Sequence, residues 1–373
     1  MRIALISRRF DASGGGTERD LLITARILAA AGHQITVYAD DVRGRSDALR
    51  VRHLSALPLG RTFRLLNFAL RVVPIARREG AELVVSFARV ANVDIVRSGG
   101  SAHSSYVRAA RRWQSPAAAA AMRVSSYHLA QIALERASFK SRFLRCAIAV
   151  SELVRQDLIE TFALPPSRVL TLYNGVDLQR FAPNRDPGLT RNIRRELGIP
   201  EHCFAVAFIG HGFARKGLAF LLDAWPLVEP RICLVVAGGD RAVAAYQHRA
   251  SKLGIGGRTT FVGAHADVEH LFAAVDALAL PSLFEPFGNV VMEAMAAGLP
   301  VVCSKQTGAS ELIPPQMREL IIDDPTNIHE VARRVNLLAR MQGNSSIAAR
   351  ATAEQYTWRR YGTQLLSIIS GAK

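Results

Sequence analysis

Apolar positions along the chain occur in short continuous runs that alternate with longer segments of helical spacing. The first half contains the runs RIALIS, QITVYAD, AELVVSFA and CAIAVS, and the second half contains CFAVAFIG, ICLVVAGG, TTFVGA, ALALPS and PVVCS. Short runs of this kind are typical of strands buried on both faces, as in a parallel sheet covered by helices. The pattern therefore predicts an α/β protein.

The same alternation occurs twice, which predicts two Rossmann-like, doubly wound parallel-sheet domains. A chain of 373 residues is long enough for two cores. Between the halves, TLYNGVDLQRFAPN contains the turn-forming pair Asn174-Gly175 and Pro183. The predicted domains are residues 1–168 and 169–355, with a closing helix at 356–373 that is expected to pack back on the first domain.

In doubly wound sheets ligands bind beyond the carboxyl ends of the strands, so we expect the functional residues in the loops that follow strands. The first strand is followed by SGGGTERD, in which Gly14 to Gly16 allow close backbone approach to a ligand before a helix begins at Thr17. The first strand of the second half is followed by Arg215 and Lys216. Two cations in such a loop are suited to binding a diphosphate.

Two carboxylates, Glu285 and Glu293, stand in a run that is otherwise apolar, with seven residues between them. Glu285 is predicted in the loop after the strand ALALPS, and Glu293 about one turn into the following helix, which ends at Gly298. Backbone amides at Gly288 and Asn289 would point at a phosphate from the start of that helix. We expect both acids to face one cleft.

Charge is distributed unevenly along the chain. The formal net charge is +16, and the first 168 residues hold 26 basic and 13 acidic residues, against 21 and 18 in the remainder. Residues 106–145 carry eight basic residues, interleaved with aromatic ones, against the single acid Glu135. This bias favours an anionic partner for the first domain, such as nucleic acid, a phosphorylated substrate or an anionic membrane surface. A basic outer face with no partner, typical of an arginine-rich protein, is the alternative.

Several classes of protein are disfavoured. No apolar run reaches the roughly 18 residues of a membrane-spanning helix, and MRIALISRRF lacks the pattern of a signal peptide. The four cysteines have no metal-ligand spacing, and we expect them to be reduced thiols, as in the cytoplasm. No D-x-D pair occurs, and no nucleic-acid recognition module is found. We therefore expect no metal, no other cofactor and no nucleic-acid partner.

The segment EPFGNVVMEAMAAGLPVV resembles the E-x7-E signature of the retaining glycosyltransferases of family 4, which have the GT-B fold, two Rossmann-like domains facing a central cleft. GGGTERDLL, YNGVDLQRF, GHGFARKGL and VVAGGD are similar to further motifs of that family. Within the family, GGGTERD and NVDIVRSGGSAHSSYVR resemble the branch that adds glucose to the lipopolysaccharide core. Where that branch often carries an acid between two glycines, this chain has Ser98-Gly99-Gly100.

The resemblance implies a role for each matching residue. Arg215 and Lys216 would neutralise the departing diphosphate, Glu293 would bind the ribose hydroxyls, and Glu285 would hold the donor sugar. The residues that would contact the sugar from the first domain are Asp20 and His103. The remaining substrate-binding positions implied are Gly15, Gly16, Gly210, Phe287, Gly288, Asn289 and Val290.

The resemblance thus implies a metal-independent enzyme that moves a hexose, expected to be glucose from UDP-glucose, to a lipid-linked or phosphorylated oligosaccharide. We expect it to lie in the cytoplasm, on the inner face of the membrane. A mannosyl- or galactosyltransferase of exopolysaccharide or O-antigen synthesis is an alternative. A protein that binds nucleotide sugars or nucleic acid without catalysis is an alternative of another class.

Overall fold

The computed structural model describes residues 1–11, 16–44, 49–55, 59–184, 186–264, 267–341 and 343–371. The chain divides into two compact units. The first unit comprises Met1–Arg111, Ser115–Asn174 and Trp358–Lys373, and the second comprises Arg112–Gln114 and Gly175–Thr357. Each unit contains one parallel sheet with helices packed on it, so the predicted α/β class with two Rossmann-like domains is confirmed.

The described part of the first unit contains a seven-stranded sheet in the order β3-β2-β1-β4-β5-β6-β7, and every pairing is parallel. Its strands are β1 (Arg2–Asp11), β2 (Gln34–Arg43), β3 (Arg50–His53), β4 (Leu83–Ser86), β5 (Ile95–Ser98), β6 (Cys146–Ala149) and β7 (Val169–Thr171). The order reverses between β1 and β4, which is the topological switch point of this sheet.

The helices of the first unit connect these strands and cover both faces of the sheet. They are α1 (Thr17–Ala30), α2 (Arg61–Arg78), α3 (His103–Ala109), α4 (Pro116–Val124), α5 (Ser126–Phe139) and α6 (Glu152–Phe162), joined by the C-terminal helix α14 (Trp358–Gly371). Helix α14 packs against α1: the hydroxyls of Thr24 and Tyr361 are 2.9 Å apart, and Tyr361 and Leu365 belong to the same buried core as Leu5 of β1.

The described part of the second unit contains a six-stranded parallel sheet in the order β10-β9-β8-β11-β12-β13. Its strands are β8 (Phe204–Ile209), β9 (Ile232–Ala237), β10 (Thr259–Gly263), β11 (Ala277–Leu280), β12 (Val301–Ser304) and β13 (Ile321–Ile322). Its helices are α7 (Pro187–Leu197), α8 (Leu218–Ala224), α9 (Val243–Lys252), α10 (Val268–Phe272), α11 (Asn289–Ala296), α12 (Ile328–Leu338) and α13 (Asn344–Ala353). The switch point lies between β8 and β11.

The division between the units lies six residues beyond the predicted boundary at 168/169. Strand β7 pairs with β6, with Val169 opposite Ala147, and therefore belongs to the first sheet. At the other end, Thr357 stays with the second unit because it forms a bridge with Val176. The closing segment begins at Trp358, two residues later than the predicted start.

The prediction of four reduced cysteines differs from the structure. Cys203 and Cys233 form a disulfide, with Cα atoms 5.9 Å apart, whereas Cys146 and Cys303 are free thiols. The pair is close because β8 and β9 are neighbours in register: Phe204 lies opposite Ile232, and Ala205 opposite Cys233. Sequence spacing alone could not show that these strands are adjacent.

Candidate active site

The switch point of the second sheet brings two loops together. One loop follows β8 and contains Arg215 and Lys216, and the other follows β11 and contains Glu285. Because β8 and β11 are adjacent parallel strands, their carboxyl ends lie side by side. The backbone N–H of Leu283 donates to the carbonyl of Arg215 at 2.9 Å, which fixes the two loops to each other.

Both cations of the first loop contact the carboxylate of the second. Lys216 Nζ donates to Glu285 Oε2 at 2.6 Å, and Arg215 Nη1 donates to the same oxygen at 3.1 Å and to the carbonyl of Phe284 at 2.5 Å. The side chains of Lys216 and Glu285 are 10% and 12% exposed. Burial alone would raise the pKa of Glu285, but the charges of Lys216 and Arg215 outweigh it and lower the pKa. The cluster is therefore ionised, with two positive charges and one negative.

Two glycines make room for this cluster. Gly210 has φ 146°, and a Cβ atom there would lie 2.5 Å from Cε of Lys216, so a side chain at 210 would displace the lysine. Gly288 has φ 90°, and a Cβ atom there would lie 2.9 Å from Cγ2 of Thr307 and 3.3 Å from Cγ of Glu285. Both positions therefore require glycine to keep Lys216 and Glu285 in place.

The predicted helix after Glu285 is α11, which begins at Asn289, with Gly288 as its N-cap in the left-handed region. Phe287 is buried, whereas Asn289, Val290 and Glu293 are half-buried. Glu293 lies one turn along α11. The pKa of Arg180 is raised, chiefly by its hydrogen bond to Glu269, with a smaller contribution from the charge of Glu293. The structure thus joins Glu285 directly to the two cations and places Glu293 on the helix that follows.

In the first unit, Asp20 lies in the first turn of α1 and is buried. Its Oδ2 accepts from Asn174 Nδ2 at 3.0 Å, and Asn174 Oδ1 accepts from Arg97 Nη2 at 2.6 Å. Asp20 Oδ1 and Arg97 Nε are also buried, and neither has a hydrogen-bond partner among the described residues. Burial raises the pKa of Asp20, and the charge of Arg97 opposes that rise only in part.

His103 begins α3 and is buried. Its Nε2 lies 2.9 Å from Nδ1 of His128, and the two rings are stacked with centroids 5.1 Å apart. Its backbone N–H donates to Glu135 Oε2 at 2.6 Å, and Arg89 Nε donates to Glu135 Oε1 at 2.9 Å. Burial, followed by the charges of Arg89 and His128, lowers the pKa of His103 to about 4. The imidazole is therefore neutral at pH 7 and suited to a hydrogen bond with a hydroxyl.

In the second unit, Arg215, Lys216 and Glu285 are therefore in direct contact. In the first unit, Asp20 is bonded to Asn174, whereas His103 is bonded to His128 and Glu135. Gly16, at φ 56°, immediately precedes α1, and its carbonyl accepts from the N–H of Asp20 at 3.1 Å, whereas Gly15 lies outside the described residues. The sequence analysis did not identify Arg97 as a partner of Asn174, or His128 and Glu135 as partners of His103. An arginine within the apolar run DIVRS was a usable signal, because a buried arginine needs partners. Among the described residues, no three carboxylate, histidine or cysteine side chains are grouped so as to hold a metal ion.

Two family models match the chain, one in each half. Residues 14–180 match Glycosyltransferase Family 4, and residues 190–356 match Glycosyl transferases group 1. The Arg215, Lys216 and Glu285 cluster lies within the second matched range, and Asp20 and His103 lie within the first. Together the two ranges cover most of the chain.

Curated relatives match over much of the chain at low identity. The lipopolysaccharide glucosyltransferase WaaG of Escherichia coli K12 is 25% identical over 333 residues, covering 86% of each chain. The D-inositol 3-phosphate glycosyltransferase of Salinispora tropica is 27% identical over 406 residues, covering 96% of this chain and 81% of the relative. For an uncharacterised glycosyltransferase of Methanocaldococcus jannaschii and two corynebacterial relatives, the match spans only 63%, 55% and 54% of the relative's length.

Solved structures show the same architecture. The crystal structure of WaaG has a TM-score of 0.83 at 22% identity, covering 99% of this chain and all of that one. Anabaena Alr3699/HepE in complex with UDP-glucose has a TM-score of 0.75 at 21% identity, covering both chains completely. At these identities the likeness concerns the fold, and the fold that the chain shares with these neighbours is GT-B.

Proposed function

The chain belongs to the glycosyltransferases with the GT-B fold, and we propose that it transfers a hexosyl group from a nucleoside diphosphate sugar to an acceptor hydroxyl. The observation that carries this proposal is the buried contact of Lys216 and Arg215 with Glu285 at the switch point of the second sheet. Such a cluster holds positive charge ready for a diphosphate without having to reorganise.

The reaction breaks the bond between the anomeric carbon and the diphosphate oxygen, and the electron pair leaves with that oxygen. The acceptor oxygen bonds to the anomeric carbon, and its proton passes to the departing phosphate. We propose that this occurs with retention of configuration and without a metal ion. Lys216 and Arg215 stabilise the negative charge on the leaving group, and the first-turn amides of α11 at Gly288, Asn289 and Val290 add to that field.

The other residues bind substrate. Glu285 orients the two cations and accepts hydrogen bonds from sugar hydroxyls, Glu293 binds the ribose, and Phe287 and Gly210 shape the surface near the diphosphate. In the first unit, neutral His103 and buried Asp20 contact the transferred sugar, and Gly15 and Gly16 provide backbone donors. Hydrogen bonds of this kind distinguish sugars by geometry.

We propose UDP-glucose as the donor and a phosphorylated or lipid-linked oligosaccharide, such as the lipopolysaccharide inner core, as the acceptor. The relative WaaG is named a lipopolysaccharide glucosyltransferase, and the HepE neighbour was solved with UDP-glucose. The inositol phosphate enzymes support a different phosphorylated acceptor. Both acceptor classes carry negative charge, which suits the basic first unit.

A surface of the first unit supports attachment to an anionic membrane on the cytoplasmic side. Helix α5 packs against both α2 and α4, and Thr62 Oγ1 lies 3.1 Å from Ser126 Oγ. These three helices carry exposed apolar side chains at Phe63 (40%), Leu70 (70%), Val124 (77%) and Leu129 (51%). The one acid of residues 106–145, Glu135, is buried. No described helix has the length and apolar content needed to cross a bilayer.

Purified protein incubated with a panel of UDP-, GDP- and ADP-sugars, with and without EDTA, tests the donor. We expect UDP-glucose to be hydrolysed fastest to the nucleoside diphosphate, with EDTA causing no loss. Preference for a UDP-galactose or GDP-mannose donor would favour the alternative transferases. Binding of donors without turnover of any of them would rule out the catalytic proposal.

Sedimentation with vesicles tests membrane attachment. We expect binding to vesicles that contain anionic lipid, weakening as salt rises, because each basic residue near such a surface contributes about 1 kcal/mol. The paired changes Phe63→Ser and Leu70→Ser should weaken binding at every salt concentration. Equal binding to neutral vesicles would contradict the electrostatic part of the proposal.

A further inference from the structure

A cavity of about 250 Å³ lies in the first unit, at the carboxyl ends of β4 and β5 and against α5. The residues that matter for its chemistry are Arg89, Arg97, Gly99, Gly100 and Glu135. The volume exceeds the roughly 150 Å³ of an engineered cavity that accepts benzene, so a ring-sized polar group fits. The Lys216 cluster belongs to the other unit, and none of its residues lines this cavity.

Arg97 supplies the first indication of a ligand. Its side chain lines the cavity and is only 2% exposed. Nη1 donates to the carbonyl of Ser98 at 3.0 Å and Nη2 donates to Asn174, but buried Nε has no partner among the described residues. Buried polar groups in folded proteins are nearly always paired, so an unpaired guanidinium N–H on a residue that lines a cavity points to an acceptor that binds beside it.

Arg89 supplies a second guanidinium. Its Nε donates to Glu135 Oε1, and Nη1 makes a long contact of 3.4 Å with Gln131 Oε1. A guanidinium has five N–H groups in a planar fork, so donors remain for an occupant of the cavity. Arg89 is half-buried, which lets it contact a ligand that enters from solvent.

The one carboxylate of the lining does not oppose an anion strongly. Glu135 accepts from Arg89 through Oε1 and from the backbone N–H of His103 through Oε2, so both of its oxygens are occupied. Strand β5 ends at Ser98 and is followed by Gly99 and Gly100, which bring no further acid to the cavity. The lining therefore carries two guanidinium groups and one carboxylate, which leaves one positive charge in excess.

We propose that this cavity binds a phosphate group of the acceptor through Arg97 and Arg89. That the phosphate belongs to the acceptor rests on the proposed function, whereas the presence of an anion site in this cavity does not. Glu135 lines the cavity and also accepts a hydrogen bond from the backbone N–H of His103. A single residue, Glu135, therefore separates an occupant of the cavity from His103, which is proposed to contact the sugar. The site therefore selects acceptors that are phosphorylated near the hydroxyl that reacts.

Isothermal titration calorimetry without donor tests the site. The probes are inorganic phosphate, a hexose phosphate and the matching unphosphorylated hexose, and the variants are Arg97→Lys, Arg97→Gln and Arg89→Gln. The matched control is Arg136→Gln, an exposed arginine on α5 that does not line the cavity. We expect the hexose phosphate to bind more tightly than inorganic phosphate, and the neutral hexose not to bind.

We expect each Arg→Gln change at 89 or 97 to weaken phosphate binding roughly tenfold or more, and Arg136→Gln to leave it unchanged. If Arg97→Gln does not fold, because Arg97 also holds Asn174, the Arg89→Gln and Arg97→Lys variants still decide the question. Equal weakening by Arg136→Gln, or no phosphate binding by the wild type, would overturn the site. Donor hydrolysis is measured separately, so a wild type that hydrolyses donor but binds no phosphate refutes this inference alone.

Discussion

The buried charges of the two units are arranged in opposite ways. In the second unit, Glu285 is paired with Lys216 and Arg215, and its pKa is lowered. In the first unit, burial raises the pKa of Asp20 and lowers that of His103, so each group is shifted towards its neutral form. Burial acts on all three titrating groups, and the difference lies in the partners that the fold supplies.

The comparison shows what each site is ready to bind. A cluster that holds two basic side chains in a buried place can stabilise charge that develops on a diphosphate. The neutral imidazole of His103 suits the hydroxyls of a sugar, which are neutral donors and acceptors. Glu285 Oε2 accepts from both Lys216 and Arg215, whereas the buried Oδ1 of Asp20 lacks a partner among the described residues.

Replacing Lys216 by Ala should have the largest effect. The change removes the most buried cation of the cluster and leaves Glu285 with Arg215 alone, so we expect kcat for donor turnover to fall by roughly 10²–10³-fold. Steady-state kinetics with the preferred donor measures the loss. Lys252→Ala on α9, an exposed lysine, is the matched control and should keep full activity. If both variants kept wild-type kcat, the cluster would have no part in catalysis.

His103 tests the neutral character of the first unit through pH. Its folded pKa of about 4 lies below the ordinary value of 6.5, so between these values only the unfolded chain binds the proton. The contribution of His103 to the free energy of unfolding is therefore fully present above pH 6.5 and is lost as pH falls towards 4. At pH 5 we expect the free energy of unfolding to be lower by about 2 kcal/mol on this account. Urea unfolding from pH 7 to pH 5 measures it, and His103→Gln should flatten the slope by that amount. An unchanged slope would show that His103 titrates normally.

Gly210 tests whether the position of Lys216 matters as much as its charge. In Gly210→Ala the new Cβ atom would lie 2.5 Å from Cε of Lys216, so the lysine must move away from Glu285. We expect kcat to fall about tenfold, less than for the loss of the lysine itself, because the charge remains nearby. Gly254→Ala is the control, since Gly254 also has positive φ but has nothing within 4 Å of a new Cβ. Equal losses in the two variants would indicate backbone strain alone.

Much of the second unit's site could be predicted from sequence, because its parts are local. The runs CFAVAFIG and ALALPS predicted β8 and β11, and loops after adjacent parallel strands meet at a switch point. That places Arg215 and Lys216 beside Glu285. Strands β3, β5, β7 and β13 were not predicted: β7 and β13 have only three and two residues, β3 has the sequence RVRH, and β5 contains the buried Arg97.

The first unit's site was harder to predict because its contacts join distant positions. Asp20 meets Asn174 across 154 residues, and Arg97 meets Asn174 across 77. Asn174 was recognised only as a turn former, and nothing in its spacing indicated that it links an acid to an arginine. The pairing of His103 with His128 depends on how α3 packs against α5, which a periodic pattern does not specify.

The smallest expected effect, on stability, compares an acid from each unit under one measurement. Asp20→Asn keeps an oxygen that accepts from Asn174 Nδ2 and removes a buried carboxyl group. The raised pKa of that carboxyl shows that its ionised form is costly in the folded protein. We therefore expect the variant to be about 1 kcal/mol more stable than the wild type at pH 7. Because the pKa of Asp20 is raised in the folded protein, its ionisation costs stability only as pH rises through that pKa. The stability gained by Asp20→Asn should therefore vanish in acid.

Glu285→Gln should have the opposite effect, because the pKa of Glu285 is lowered in the folded protein. This variant should be less stable than the wild type at pH 7 and approach the stability of the wild type as pH falls. Urea unfolding at pH 7 and pH 4 measures both variants. If the two substitutions shifted stability in the same direction with pH, the contrast between the units would be wrong.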